Sequence, residues 1–416
     1  MAGFFEAAEV IRKPPPSLLP KCGACGLSTA GCKSPKMPVT GEGRLGVLVV
    51  AEAPGEVEDD RNEQLVGPAG QLLREVLREI EVNLDVDCWK TNALICRPPE
   101  NRTPTADEID YCRPNLMATI RELRPKVIIP MGGPAIKSLL APFWREDVGS
   151  VSTWVGWRIP LQKPNVWIAP TYHPSHVRRE IKDETATASV LRLWFKRHLQ
   201  SAFELSGSRP WPTVPDFLSQ VRVEYDPEAA ARWIRSVVQR GGPTSFDYET
   251  DRLKPDMSDS EIVSCAITWR GLETVAYPWA GEAIKATSEY LQSDLPKIGA
   301  NLKFEDRWTR AKLGHRVNKG VWDGMLSAHH LDQRWNITSV KFQAFVRLGQ
   351  EPWDLQVRPY LEADGGNAKN RIRQLDLRTL LIYNGMDPLM EYHVGGLQRA
   401  EMLQQDTEVI RLGTVR

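Results

Sequence analysis

The stretch VLVVA at Val47–Ala51 constrains the fold more than any other part of the chain. Five apolar residues follow one another with no polar residue at alternate positions, so neither face of such a strand is built to meet water. A strand buried on both faces belongs to a parallel sheet with helices over each side. The runs KVIIPMG and VWIAPTYH have the same character, and helical patterns such as AGQLLREVLREI alternate with them through residues 1–205. That alternation predicts an α/β domain on a parallel sheet. Directly after Ala51 the chain turns acidic, with Glu52, Glu56, Glu58, Asp59 and Asp60 around Pro54 and Gly55. Open α/β sheets hold ligands at loops leaving the carboxyl ends of their strands. An acidic loop taken alone is more often a solvated surface.

SGSRPWPTVPD, Ser206–Asp216, is rich in Pro, Gly and Ser and follows a helical pattern over Ala188–Phe203. It reads as a domain boundary, giving a first domain over residues 1–205, a linker over 206–218 and a second domain over 219–416. In the second domain VRVEY, TSFDYET and EIVSCAITW read as strands of a separate sheet, and helical stretches follow. A chain of 416 residues is long enough for such a division. Its 53 Lys+Arg balance 53 Asp+Glu, so no global charge advertises a polyanion partner, although a local basic face survives inside a neutral total. No run of 18 apolar residues occurs, and the opening MAGFFEAAEVIRKPPP lacks a signal-peptide pattern. The expectation is a soluble cytoplasmic protein with no membrane partner.

Seven cysteines in such a chain call for something other than secreted disulfides. Cys22 and Cys25 form a C-x-x-C pair, and Cys96 and Cys112 lie sixteen positions apart. Zinc is the plain reading of four such thiols, an iron–sulfur cluster suits them equally, and spacing does not choose. Cys32 is a further thiol near the first pair, while Cys88 and Cys265 sit in apolar surroundings as buried residues.

AEAPGEVEDD, QLVGPAGQLL, TNALICRPPENRTP, RPKVIIPMGGPA and YHPS, in this order around those cysteines, resemble the family 4 uracil-DNA glycosylases over about residues 20–200. The resemblance implies that Cys22, Cys25, Cys96 and Cys112 bind a structural 4Fe-4S cluster. It implies catalytic roles for Glu52 and Glu58, beside a sugar that becomes cationic as the N-glycosidic bond breaks. Asn92 matches the amide that reads uracil, and His173 matches the donor to the uracil oxygen; read without the family, either is equally a turn or loop residue. Two departures stand out: Ala51 replaces the usual first Gly of GEAPG, and Leu65 stands where many members stack a Phe on the base. Leu65 is expected to weaken uracil binding or admit another base. Arg178 and Arg179, after the histidine motif, are expected to meet DNA phosphates, and a solvated basic patch is the plain alternative.

In TSFDYETD, Asp247 and Glu249 are two apart on a predicted strand, so both carboxylates point to one face. Two acids that close repel unless a cation lies between them; otherwise they are exposed strand acids. Tyr383 and Asp387, in LIYNGMD, have the spacing that stacks side chains on one helix face. With IGANLKFEDRW and VWDGML between them, these motifs resemble the proofreading 3′–5′ exonuclease domain of family A DNA polymerases, of the DEDDy class, over about residues 219–400. A ribonuclease H-like α/β fold is implied. So are Asp247, Glu249, Glu305 and Asp387 as ligands of a pair of Mg²⁺ or Mn²⁺ ions that activate water and steady the leaving oxygen, and Tyr383 as the residue orienting water. Glu305 departs from the usual Asp, with Asp306 as the alternative ligand; Asp323 aligns with an acid read as structural. No segment after residue 405 resembles a polymerase.

The expected function is excision of uracil from DNA joined to 3′–5′ degradation. The expected partners are uracil-containing DNA, single strands or 3′ ends, and a replicative polymerase, in a phage protein acting within a bacterial host. Another target base, or a replication accessory subunit with one or both sites silent, are the alternatives.

Overall fold

The computed structural model describes residues 22–184 and 187–413; the opening segment and the Pro14–Pro16 run lie outside them. The chain forms two compact units, the first ending at Val214 and the second beginning at Pro215.

The first unit runs β1 (Val47–Ala51), α1 (Glu56–Arg61), α2 (Pro68–Arg78), α3 (Leu84–Asp87), β2 (Cys88–Asn92), α4 (Ala106–Leu123) and β3 (Val127–Pro130). It continues with α5 (Gly133–Trp144), α6 (Val151–Trp154), β4 (Ile159–Leu161), β5 (Val166–Ile168), α7 (Pro174–Lys182) and α8 (Ala188–Glu204). The sheet order is β2-β1-β3-β5-β4. Every residue of β1 is buried, as its unbroken apolar run requires. Leu72, Leu73, Val76 and Leu77 of α2 form the apolar stripe that joins this core, with Phe195 and Leu199 of α8. Two features differ from the sequence expectation. The edge strand β4 is antiparallel to β5, because the four residues between them are too few for a crossover. The strand β2 was hidden by Lys90, which is fully buried and ion-paired to Asp85. After α8, Arg209 donates to the carbonyls of Arg124, Pro125 and Asn165, and the Trp211 indole donates to that of Pro160. The predicted linker is thus pinned along this stretch.

The second unit runs β6 (Val221–Val223), α9 (Pro227–Arg240), β7 (Thr244–Thr250), β8 (Ile262–Trp269), β9 (Glu273–Pro278), α10 (Gly281–Gln292) and β10 (Lys297–Gly299). There follow α11 (Leu302–Leu313), β11 (Gly320–Asp323), α12 (Gly324–Leu331), α13 (Val340–Leu348), α14 (Arg358–Leu361) and the long α15 (Leu377–Gly413). Its sheet order is β11-β10-β7-β8-β9-β6. Strands β7, β8 and β9 form an antiparallel meander, and β10 and β11 extend it in parallel on the β7 side. This is a ribonuclease H-like sheet. Helix α15 crosses it, packing against β6 to β10, while α9 and α10 pack on each other.

Candidate functional site

In the first unit β1 lies between β2 and β3, all three parallel. The chain leaves β1 toward β2 and must then cross back to β3, so loops at the two carboxyl ends part and leave a crevice. A cleft of about 870 Å³ opens there, lined by Glu52, Glu58, Leu65, Asn92, Gly132, His173, Arg178 and Arg179. The four expected catalytic residues of this unit therefore share one cavity.

Asn92 ends β2, is almost wholly buried, and donates through Nδ2 to Gln64 Oε1. Gln64 in turn donates to the Pro38 carbonyl at 3.1 Å, which fixes its own orientation and hence that of the Asn92 amide. His173 is the N-cap of α7: its Nδ1 accepts from the backbone N–H of Ser175 at 3.2 Å and meets the Ser175 hydroxyl at 2.6 Å. Nδ1 being an acceptor, the ring proton sits on Nε2. Burial, with Arg179 and His176 nearby, lowers the His173 pKa to about 4, so the ring is neutral at ordinary pH. Glycine is required at Gly132, where φ is +83° and a Cβ would fall 2.9 Å from His173 Cβ.

Burial raises the Glu52 pKa and Arg179 partly offsets this. Glu58 is buried, with Oε1 accepting from the Gly67 N–H at 2.7 Å. Asp59 faces elsewhere and is structural, accepting from the backbone N–H groups of Lys33 and Ser34. Leu65 is buried with φ +55°, a conformation rarely held by a branched residue. Arg178 and Arg179 are exposed at the rim.

Cys22, Cys25, Cys96 and Cys112 line one small cavity walled by Leu27, Leu94 and Ile95. None of the four is in a disulfide, and Cys96 Sγ accepts from the Lys36 N–H at 3.2 Å. Four soft donors in an apolar shell fit a thiolate-bound metal group. Cys32 donates to the Leu27 carbonyl, and Cys88 and Cys265 are fully buried.

In the second unit one oxygen each from Asp247, Glu249 and Asp387 lie within 4.8 Å of one another. Asp247 and Glu249 stand on β7, Asp387 on α15, one turn after Tyr383. Burial raises the pKa of all three acids. The Asp387 charge adds to this at Asp247, the Asp247 and Asp387 charges add to it at Glu249, and at Asp387 itself Lys341 works against it. This is a hard-oxygen cluster suited to a divalent cation. Lys341 Nζ lies 2.7 Å from Asp387 Oδ1 and 3.5 Å from the Tyr383 hydroxyl, over the rings of Trp353 and Tyr383. Burial alone would lower the Lys341 pKa, but Asp387 raises it to about 12. Asn384 donates to Asp247 Oδ2 at 2.9 Å and accepts from the Ser264 hydroxyl.

Glu305 is buried in the first turn of α11, and the Asp247 charge acts on it. Asp306 is tied up by Arg310 and the Val317 N–H. Asp323 accepts from the N–H groups of Asn301 and Leu302 and caps α12. Gln64, Ser175, Lys341 and Asn384 were not anticipated. Gln64 opens QLVGPAGQLL, Ser175 closes YHPS and Asn384 lies inside YNGMD between Tyr383 and Asp387, so of these four Lys341 alone carried no local signal.

A family profile described as the uracil DNA glycosylase superfamily matches residues 38–196. A type-4 uracil-DNA glycosylase of Pyrobaculum aerophilum is 38% identical over 167 residues, covering 39% of this chain and 82% of that protein. One from Archaeoglobus fulgidus is 31% identical over 201 residues, covering 47% of this chain and 94% of the relative. A DNA polymerase of Bacillus phage SP01 is 26% identical over 316 residues, covering 71% of this chain. The match spans 34% of the polymerase and is longer than either unit. Among the described residues no helix is long and apolar enough to cross a membrane.

Proposed function

Because this chain belongs to the type-4 uracil-DNA glycosylase family, we propose that its first unit hydrolyses the N-glycosidic bond of uracil in DNA, and that its second unit degrades DNA 3′–5′. The observation that carries the first half is the neutral His173, held as its Nε2–H tautomer in the cleft that also contains Asn92.

The target base must leave the stack to enter such a cleft. With one Nδ2 proton engaged by Gln64, Asn92 keeps Oδ1 to accept from uracil N3–H and its second proton to donate to O4. Cytosine presents the opposite pattern on that edge and is rejected. Negative charge grows on the base as the bond breaks, and His173 Nε2–H donates to it without giving up a full proton. Glu52 and Glu58 stabilise the cationic sugar and orient water. Cys22, Cys25, Cys96 and Cys112 would hold the 4Fe-4S cluster, which when bound ties the Cys22 segment, the loop after β2 and α4 together.

In the second unit Asp247, Glu249, Asp387 and Glu305 would hold Mg²⁺ or Mn²⁺, which when bound activates water and steadies the leaving oxygen. Tyr383 orients the attacking water, Asn384 fixes Asp247, and Lys341 balances the acids' charge. Likeness to a phage polymerase across more than one unit supports a place beside DNA synthesis. Leu65 in the cleft favours a second reading, a glycosylase that accepts another modified base.

The test uses a 5′-labelled single strand carrying one uracil, incubated with EDTA or with Mg²⁺. Abasic product in EDTA and a shortening ladder only with Mg²⁺ is the expected result. A ladder without abasic product points to another base. No reaction under either condition overturns the proposal in favour of an accessory role.

A further inference from the structure

Four rings form a continuous row from the cleft of the first unit onto its surface. Tyr172 and His176 line the cleft, with ring centroids 6.1 Å apart. Tyr172 also stacks on His198 of α8, at 5.7 Å and an interplanar angle of 25°. His198 meets Trp194, one turn earlier on that helix, at 6.0 Å. The Arg197 guanidinium ends the row, 5.3 Å from the centroid of the Trp194 ring.

The middle of the row is fixed and its outer end is open. His198 Nδ1 lies 3.2 Å from the Thr171 hydroxyl. A Cβ on Gly156, where φ is +84°, would fall 2.9 Å from His198 Nε2, so the backbone closes on that ring as only glycine allows. Trp194 is 47% exposed and Arg197 is exposed. A tryptophan carries a large apolar area that proteins usually hide. Here Phe195 and Leu199 supply the inward face of α8, and Trp194 stands outside that core.

Charge points to the occupant. Arg178 and Arg179 stand at the cleft end of the row and Arg197 at the other; the acid beside it, Glu180, lies 4.0 Å from His176 Nδ1. Rings interleaved with arginines suit an unpaired polynucleotide, whose bases stack on flat side chains while its phosphates meet the cations. A duplex keeps its base faces inside and offers such rings nothing to stack on.

We propose that Tyr172, His198, Trp194 and Arg197 form a track for the single-stranded DNA that flanks the base held in the cleft. The inference rests on the glycosylase reading above. It gives the exposed Trp194 a role and extends the cleft along α8.

Uracil excision in EDTA tests it, measured on a uracil trinucleotide and on the same uracil in a strand extended on both sides with thymidines. Wild type is expected to show a KM about tenfold lower on the extended strand, the order of one stacked base. Trp194→Ala should lose most of that gain with kcat kept, and Trp194→Phe should restore it. Arg197→Gln should reduce the salt dependence of KM on the extended strand by about one phosphate contact. A gain unchanged in Trp194→Ala, with an unchanged salt dependence in Arg197→Gln, would overturn the proposal and leave this face of α8 to a protein partner, the glycosylase reading standing. A wild type that gains nothing from the extension would overturn it likewise. Excision from neither substrate would overturn the glycosylase reading as well.

Discussion

At the scale of single residues, the cleft of the first unit works through the state in which its groups are held. His173 has a folded pKa near 4 against 6.5 for a free imidazole. Between those values the unfolded chain binds the proton and the folded chain does not. The contribution of His173 to stability is therefore complete above about pH 6.5 and is lost as the pH falls toward 4. Thermal unfolding from pH 7 to 4.5 should show the first unit losing more stability in wild type than in His173→Gln; parallel curves would contradict a neutral, partly buried ring. His173→Ala should slow excision by about 10²–10³-fold, the typical cost of one lost donor to a developing anion, with nuclease activity unchanged. Leu65→Phe adds a stacking surface worth about 1–3 kcal/mol. It should tighten uracil binding about tenfold, as KM for a uracil-containing strand would reveal. An unchanged KM would mean that the base does not rest on this side chain.

At the scale of elements, α15 packs more closely on its sheet than a side chain would permit. A Cβ at Gly385 would fall 2.3 Å from Val221 Cγ1 of β6 and 3.4 Å from Ala276 Cβ of β9. Gly385→Ala must push the helix from β6, and overpacking of this kind costs about 1–3 kcal/mol. Tyr383 and Asp387 flank this position on the same helix, so the shift also moves both from Asp247 and Glu249. Mg²⁺-dependent degradation should fall and the second unit should melt earlier, while excision in EDTA is unchanged. Normal nuclease activity in a folded Gly385→Ala chain would show that the helix can move without disturbing the acids.

At the scale of the whole molecule, each unit has its own core and its own chemistry. Asn92→Ala should abolish excision and leave the Mg²⁺ ladder; Asp247→Ala should do the reverse. Joining the units raises the effective concentration of one activity near the product of the other. At low protein concentration, and with the abasic strand cut by an added lyase, wild type should process a uracil strand faster than an equal mixture of the two single-site variants. Equal rates would show that the linkage confers no coupling.

What was legible in the sequence was whatever depends on neighbours along the chain. The unbroken apolar run of β1 forces a doubly buried strand, Asp247 and Glu249 share a face through the two-residue period, and Tyr383 and Asp387 share one through the helical turn. The motif order carried Glu52, Glu58, Asn92, His173 and the four cysteines. The pairings that set the state of those residues were not legible, because they are made by the fold alone. Gln64 meets Asn92 across 28 positions, Lys341 meets Asp387 across 46, and Asn384 meets Asp247 across 137. An amide's orientation, a histidine's tautomer and a lysine's partner depend on burial and on which oxygen faces which nitrogen. Local pattern cannot encode those relations, since they arise only when distant strands and helices are packed together.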